Sequence, residues 1–407
     1  MRKSGSRVVT GVFLAFLFGV SAAGVLWPEK GFSESENRYL QTKPEFVMKD
    51  LINGSYGTAY EAFLGDQFPL RDGWVGLKVK AEQAQLKKDV NGVYLAKDGY
   101  LIEKFEREDL EGPQLDKNID AAAQFAARMG KKLGQEHVRV MMVPSASQVL
   151  TDKLPAFAAP YDQEQVTRRI REKLAETGAG TEMMVPVLEQ MKEHSQEDIY
   201  YRTDHHWTAA GAYYGYEIWA ESMGIEPWSR EMFTEEIVSE DFLGTVYSKV
   251  NVKVRPDSIR LFLPKKEERY QVEYDGLPKV YDSLYNFKAL EGKDKYGVYL
   301  DGNHGLTVIN REASGSGETS GSREDSENSK SSENSGRKLL IVKDSFAHSF
   351  APFAANHFDT VYMVDLRYFN MGIEEFMEEN GVTDLLVLYQ IPGFSTETTV
   401  SKLLWQG

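Results

Sequence analysis

Four short, continuously apolar runs constrain this chain most: Val138–Val143, Leu339–Val342, Thr360–Val364 and Leu385–Tyr389. Between them lie stretches of helical periodicity, including Lys117–Leu133, Gln163–Thr177 and Ala209–Met223. Strands without polar alternation need cover on both faces, so strand–helix alternation of this kind predicts an α/β sandwich around a mostly parallel sheet. Thr181–Val187 and Asp198–Tyr201 read as two further short strands. In such sheets, functional groups gather in loops at the carboxyl ends of strands.

Composition narrows the function classes. The 407 residues carry 47 Lys+Arg against 62 Asp+Glu, a net charge of −15, which argues against nucleic acid as a partner because phosphates demand an excess of cations. The chain has no cysteine, so disulfides, thiol nucleophiles and Cys-ligated metal centres are excluded.

The N-terminus speaks to location. Arg2, Lys3 and Arg7 precede the uncharged run Val8–Trp27, which Pro28, Glu29 and Lys30 end. As a helix this run is roughly 30 Å long, about the thickness of a bilayer's hydrocarbon core. The basic end stays cytoplasmic and the remainder is exported. Ser21-Ala22-Ala23 offers a signal peptidase small residues, which would release a secreted protein, but the run exceeds most signal h-regions and a retained signal anchor is expected. The domain reading is therefore an anchor over 1–27, then a tether over 28–112 that packs on the main domain, then a catalytic domain over 113–407. The tether carries helical patterns at Thr58–Asp66 and Gly73–Lys88, and Asn91–Glu103 reads as a hairpin turning at Asp98-Gly99. Ala313–Gly336, with nine serines and four glycines and no aromatic or branched aliphatic residue, reads as a disordered insertion.

Two segments have the residue types for nucleophilic catalysis. In Asp204-His205-His206-Trp207-Thr208, between a short strand and a helix that Thr208 can cap, Asp204 and His206 stand at i and i+2 and share a side of an extended segment. A carboxylate and an imidazole so placed can form the orienter and base of a hydrolase triad. Leu339-Leu340-Ile341-Val342-Lys343-Asp344-Ser345 brings a serine to the end of an apolar strand, where adjacent helix amides can stabilise an oxyanion. Taken singly, each has a plainer reading, a partly buried loop histidine or an ordinary N-cap. Asp365, Arg367 and Tyr389, at predicted strand ends, and Trp207 are candidates for substrate contact, although a salt bridge and a buried anchor compete for these roles. Asp204, His205 and His206 are three consecutive residues and converge poorly on one ion, so no metal or other cofactor is expected.

In combination, Asp204-His205-His206-Trp207-Thr208 followed by Lys343-Asp344-Ser345 resembles the DHHW family and the related alginate O-acetyltransferases. The resemblance extends to Glu36-Asn37-Arg38-Tyr39-Leu40, Gln67-Phe68-Pro69-Leu70-Arg71, Asn91-Gly92-Val93-Tyr94, Lys97-Asp98-Gly99-Tyr100-Leu101, Val143-Pro144-Ser145 and Asp365-Leu366-Arg367-Tyr368-Phe369. It implies an SGNH-hydrolase-like three-layer α/β/α sandwich with the Asp-x-His element permuted ahead of the serine. It further implies Ser345 as nucleophile, His206 as base and Asp204 as orienter. The implied activity is exported O-acetyltransferase or acetylesterase chemistry on an extracellular or cell-wall polysaccharide, with a separate multi-pass acyltransferase supplying acetyl groups. The alternative is an inactive polysaccharide-binding or assembly protein. The chain departs from SGNH enzymes in having Lys343 before Asp344-Ser345 where they have glycine, and their Gly and Asn oxyanion elements have no clear counterpart.

Overall fold

The structure, a computed structural model, describes residues 2–33, 38–312 and 336–405. Apart from Gly336, the expected insertion lies outside the described residues. The chain forms two compact units, one of residues 1–91 with 247–254, the other of 92–246 with 255–407. The first contains a helix over Arg2–Leu26, of which Arg7–Gly24 is long and apolar enough to cross a membrane. It also contains helices Ser55–Asp66 and Arg71–Ala84. The hairpin belongs to the second unit: Val93–Leu95 pairs antiparallel with Leu101–Glu103, and the left-handed φ of Asp98 (59°) and Gly99 (79°) makes the turn between them.

The second unit is built on one seven-stranded sheet. Its strands are β1 (Val138–Val143), β2 (Tyr270–Tyr274), β3 (Val280–Tyr281), β4 (Leu306–Arg311), β5 (Lys338–Lys343), β6 (Thr360–Val364) and β7 (Asp384–Gln390), in the order β3-β2-β4-β6-β5-β7-β1. The four apolar runs of the sequence are the four parallel strands, β6-β5-β7-β1. The sheet is less parallel than expected, because β4, β2 and β3 extend it antiparallel. Two expected strands reduce to isolated bridges, Val140 with Met184 and Tyr200 with Trp207. A long ribbon, Phe233–Phe242 against Asp257–Pro264, lies outside the main sheet.

Alternate strand residues feed opposite cores, as strand geometry requires. Leu339, Ile341, Leu386 and Leu388 face the cluster that holds Trp207, Trp219 and Phe350, from helices α3 (Ala209–Ser222) and α4 (Ala347–Ala354) and their approaches. Leu340, Val342, Leu385 and Val387 face the cluster of α1 (Pro113–Leu133), α2 (Glu164–Glu176) and α5 (Ile373–Asn380). The result is the three-layer sandwich, with the carboxyl ends of β5 and β7 side by side.

Candidate active site

Residues 199–208 form a tight reversal. Tyr201 N donates to His206 O at 3.2 Å and Thr208 N to Ile199 O at 3.0 Å, after which Thr208 caps α3 by accepting from Gly211 N at 3.3 Å. Asp257 clamps the apex, its two oxygens accepting from Arg202 N at 2.9 Å, Thr203 N at 2.8 Å and Thr203 Oγ1 at 2.6 Å. The backbone on which Asp204 and His206 stand is thus fixed before either side chain makes a contact.

Asp204 is buried and accepts four hydrogen bonds. Oδ1 takes His206 N at 3.0 Å and His206 Nδ1 at 2.6 Å; Oδ2 takes Thr245 N at 2.8 Å and Thr245 Oγ1 at 2.9 Å. Gly244 makes this approach possible, since a Cβ there would stand 2.3 Å from Asp204 Cβ. Gly244→Ala is therefore expected to displace the carboxylate and lower turnover of an activated ester about 10-fold or more, by loss of orientation, while circular dichroism stays native. Parental rates in that variant would show that the carboxylate's placement is immaterial.

Ser345 reaches the same point from β5. The half-buried Asp344 carboxylate accepts from Phe346 N at 2.9 Å and from Gln390 N at 2.7 Å, tying the ends of β5 and β7 together. Ser345 Oγ lies 2.7 Å from His206 Nε2. Trp207 Nε1 donates to Phe346 O at 3.0 Å, and Tyr296 stacks on the His206 ring at 3.9 Å while its hydroxyl donates to Ser345 O at 3.3 Å. The loop bearing the imidazole and the turn bearing the serine are thereby joined twice beyond the His–Ser contact.

Electrostatics set the protonation states. Burial pushes the His206 pKa down to about 4, and the His205 charge adds to this against the pull of Asp204. Burial would raise Asp204, but His205, His206 and the Thr245 amide together hold it well below the carboxylate range. At neutral pH, Asp204 is a carboxylate that accepts Nδ1–H, leaving Nε2 of a neutral imidazole to accept the Ser345 proton. His205 turns Nδ1 to Thr245 Oγ1 at 2.8 Å. Asp204, His205 and His206 do bring ligand atoms within 4.8 Å of one another. The Asp204 oxygens and both His206 nitrogens are already engaged as described, so an ion there would have to displace at least one of these contacts.

Of the remaining expected site residues, Trp207, Tyr389 and Asp365 are buried and Arg367 is exposed. Trp207 is fully buried, with no face for a sugar, and Gly215 is needed because a Cβ there would stand 2.8 Å from Trp207 Cζ3. Tyr389 is packed with Phe394 in the core on the far side of the sheet. Asp365 is buried, holds Arg367 through 2.9 and 2.6 Å bonds, and lies 3.4 Å from the buried Lys343 Nζ. Lys343 Nζ also meets His348 Nε2 at 2.7 Å. The substrate contacts expected of Trp207, Tyr389 and Asp365 give way to packing and ion pairing, and Arg367 is the partner of Asp365. Tyr296, Thr245 and Gly244 lie in segments that carried no motif.

Residues 93–267 match the family described as ALGX, the SGNH hydrolase-like domain of the acetyltransferase AlgX. No curated protein matches the chain at a significant level. Among solved structures, a DHHW family protein from Eubacterium siraeum aligns with 21% identity over 78% of this chain and 96% of its own, with a TM-score of 0.56. PatB1 of Bacillus cereus, solved with a sulfonyl adduct, aligns with 17% identity over 75% of this chain and 98% of its own, with a TM-score of 0.55. The chain therefore has an SGNH hydrolase-like fold, similar to the AlgX acetyltransferase domain in sequence over residues 93–267 and to DHHW and PatB1 proteins in structure over about three quarters of its length.

Proposed function

We propose that this protein is a membrane-tethered, exported O-acetyltransferase that moves acetyl groups onto hydroxyls of an extracellular or cell-wall polysaccharide, with water as the competing acceptor. The observation that carries the reading is the linear relay from Asp204 Oδ1 through His206 to Ser345 Oγ, at 2.6 and 2.7 Å. Likeness to an acetyltransferase domain supports acetyl as the group moved, and the resemblance to alginate O-acetyltransferases supports a polysaccharide acceptor and a multi-pass acyltransferase as the source of acetyl. The apolar helix over Arg7–Gly24 supports the membrane tether.

In the first half-reaction, Ser345 Oγ attacks the donor carbonyl carbon as His206 Nε2 takes the hydroxyl proton. The tetrahedral oxyanion collapses, and the leaving oxygen departs with that proton. In the second, His206 takes a proton from a glycan hydroxyl whose oxygen attacks acetyl-Ser345, and Ser345 leaves with the proton. The amides of Asp344, Phe346, Ala347 and His348 are all engaged in the nucleophile turn, which leaves the Ser345 N–H without an acceptor among the described residues and available to the oxyanion.

Incubating the full chain with an activated acetyl ester and cell-wall glycan should give O-acetyl signals on the glycan by proton NMR. Absence of both ester turnover and glycan acetylation would leave the binding-protein reading. The pH dependence is a second check. A base must be unprotonated, so kcat/KM should stay level from pH 8 to about 5 and fall as pH drops through about 4, where His206 gains its proton. A midpoint at the ordinary histidine value near 6.5 would contradict the buried, neutral imidazole.

A further inference from the structure

Gln390 ends β7 with its residue 6% exposed, and its side-chain Nε2 is a buried donor with no hydrogen-bond partner among the described residues. Such orphans are rare in folded proteins and call for an explanation. The topology puts this one beside the nucleophile. Lys343 is in register with Leu388 on the neighbouring parallel strand, so two residues further along, Ser345 and Gln390 leave the sheet at the same level. Neighbouring strands stand only about 4.8 Å apart, and the Asp344 carboxylate holds these two ends together. Gln390 and Leu388 share a face by strand alternation, and that face carries Trp207, Tyr296 and Phe346.

A small recess of about 10 Å³, room for roughly one water molecule, opens beside Gln390. Gln390 lines it together with Asp204, His205, Ile102, Ala146 and Val246. Glu103, Ser145 and Ser147 add polar groups to its wall.

We propose that Gln390 is a catalytic residue whose side-chain N–H donates to the acyl carbonyl oxygen at Ser345. The inference rests on the function proposed above. On attack by Ser345 Oγ the carbonyl π pair moves to oxygen, and the resulting oxyanion accepts from Gln390 Nε2 and Ser345 N; on collapse the pair returns to carbon. The donor is left unsatisfied in the resting protein because its acceptor arrives with the substrate.

The test uses the full chain and p-nitrophenyl acetate, with Gln390→Met removing the donor at nearly constant shape. Pre-steady-state acylation should slow roughly 10²–10³-fold with little change in KM. Parental acylation rates in Gln390→Met would overturn the proposal while leaving Ser345 chemistry in place. Failure of the parental chain to acylate on Ser345 would instead remove the underlying function. Should the variant misfold, a structure of the parental protein with Ser345 methylphosphonylated decides: a phosphoryl oxygen within hydrogen-bond distance of Gln390 Nε2 supports the assignment, and one directed elsewhere refutes it.

Discussion

Ser345→Ala is expected to lower turnover of an activated acetyl ester by a factor on the order of 10⁴ or more while leaving the melting temperature within a few degrees of parental. Among the described residues the Ser345 hydroxyl has His206 Nε2 as its only hydrogen-bond partner, so its loss removes the proposed nucleophile and little else. Because the groups of a relay act as one unit, His206→Ala should be nearly as damaging, and the double variant no worse than either single one. Losses that multiply in the double variant would mean that the two residues act independently. Asp204→Asn should keep the geometry but favour the wrong imidazole tautomer, which also costs turnover heavily.

The second large effect is on stability. Trp207 is fully buried, its indole N–H is bonded to Phe346 O, and α3 approaches it closely at Gly215. Trp207→Ala removes a large side chain that the surroundings cannot replace, and should cost about 3–5 kcal/mol, read as a lower midpoint in urea or heat denaturation. An additional loss of activity is expected even in the folded fraction, since the indole ties the His206 loop to the serine turn. A variant with an unchanged midpoint and only weakened glycan binding would restore the stacking role.

Legibility in the sequence followed locality. Val138–Val143, Leu339–Val342, Thr360–Val364 and Leu385–Tyr389 announced the parallel strands because each is buried on both faces. The Asp204–His206 pairing was readable because two residues of extended chain suffice to make it. Ser345 was visible as a strand end, yet its meeting with His206, 139 positions away, needed the family resemblance. The ribbon strand Phe233–Phe242 was invisible because most of its residues are not buried and four are acidic. Thr181–Val187 looked like a strand from composition, but pairs through Met184 alone. Asp365 and Arg367 were read as substrate contacts because both stand at a strand end. What the linear pattern could not reveal was the buried Lys343, 3.4 Å from the Asp365 carboxylate that Arg367 binds. Thr245 and Tyr296 act through contacts that no spacing rule encodes.

The central claim is that Ser345 carries the acyl group. Brief reaction of the full chain with p-nitrophenyl acetate, acid quench and peptide mapping by mass spectrometry tests it directly. One acetyl group on the peptide containing Ser345, absent from Ser345→Ala and from His206→Ala, is the predicted result. Acetyl on other residues only, or equal labelling of the parental protein and Ser345→Ala, would contradict it.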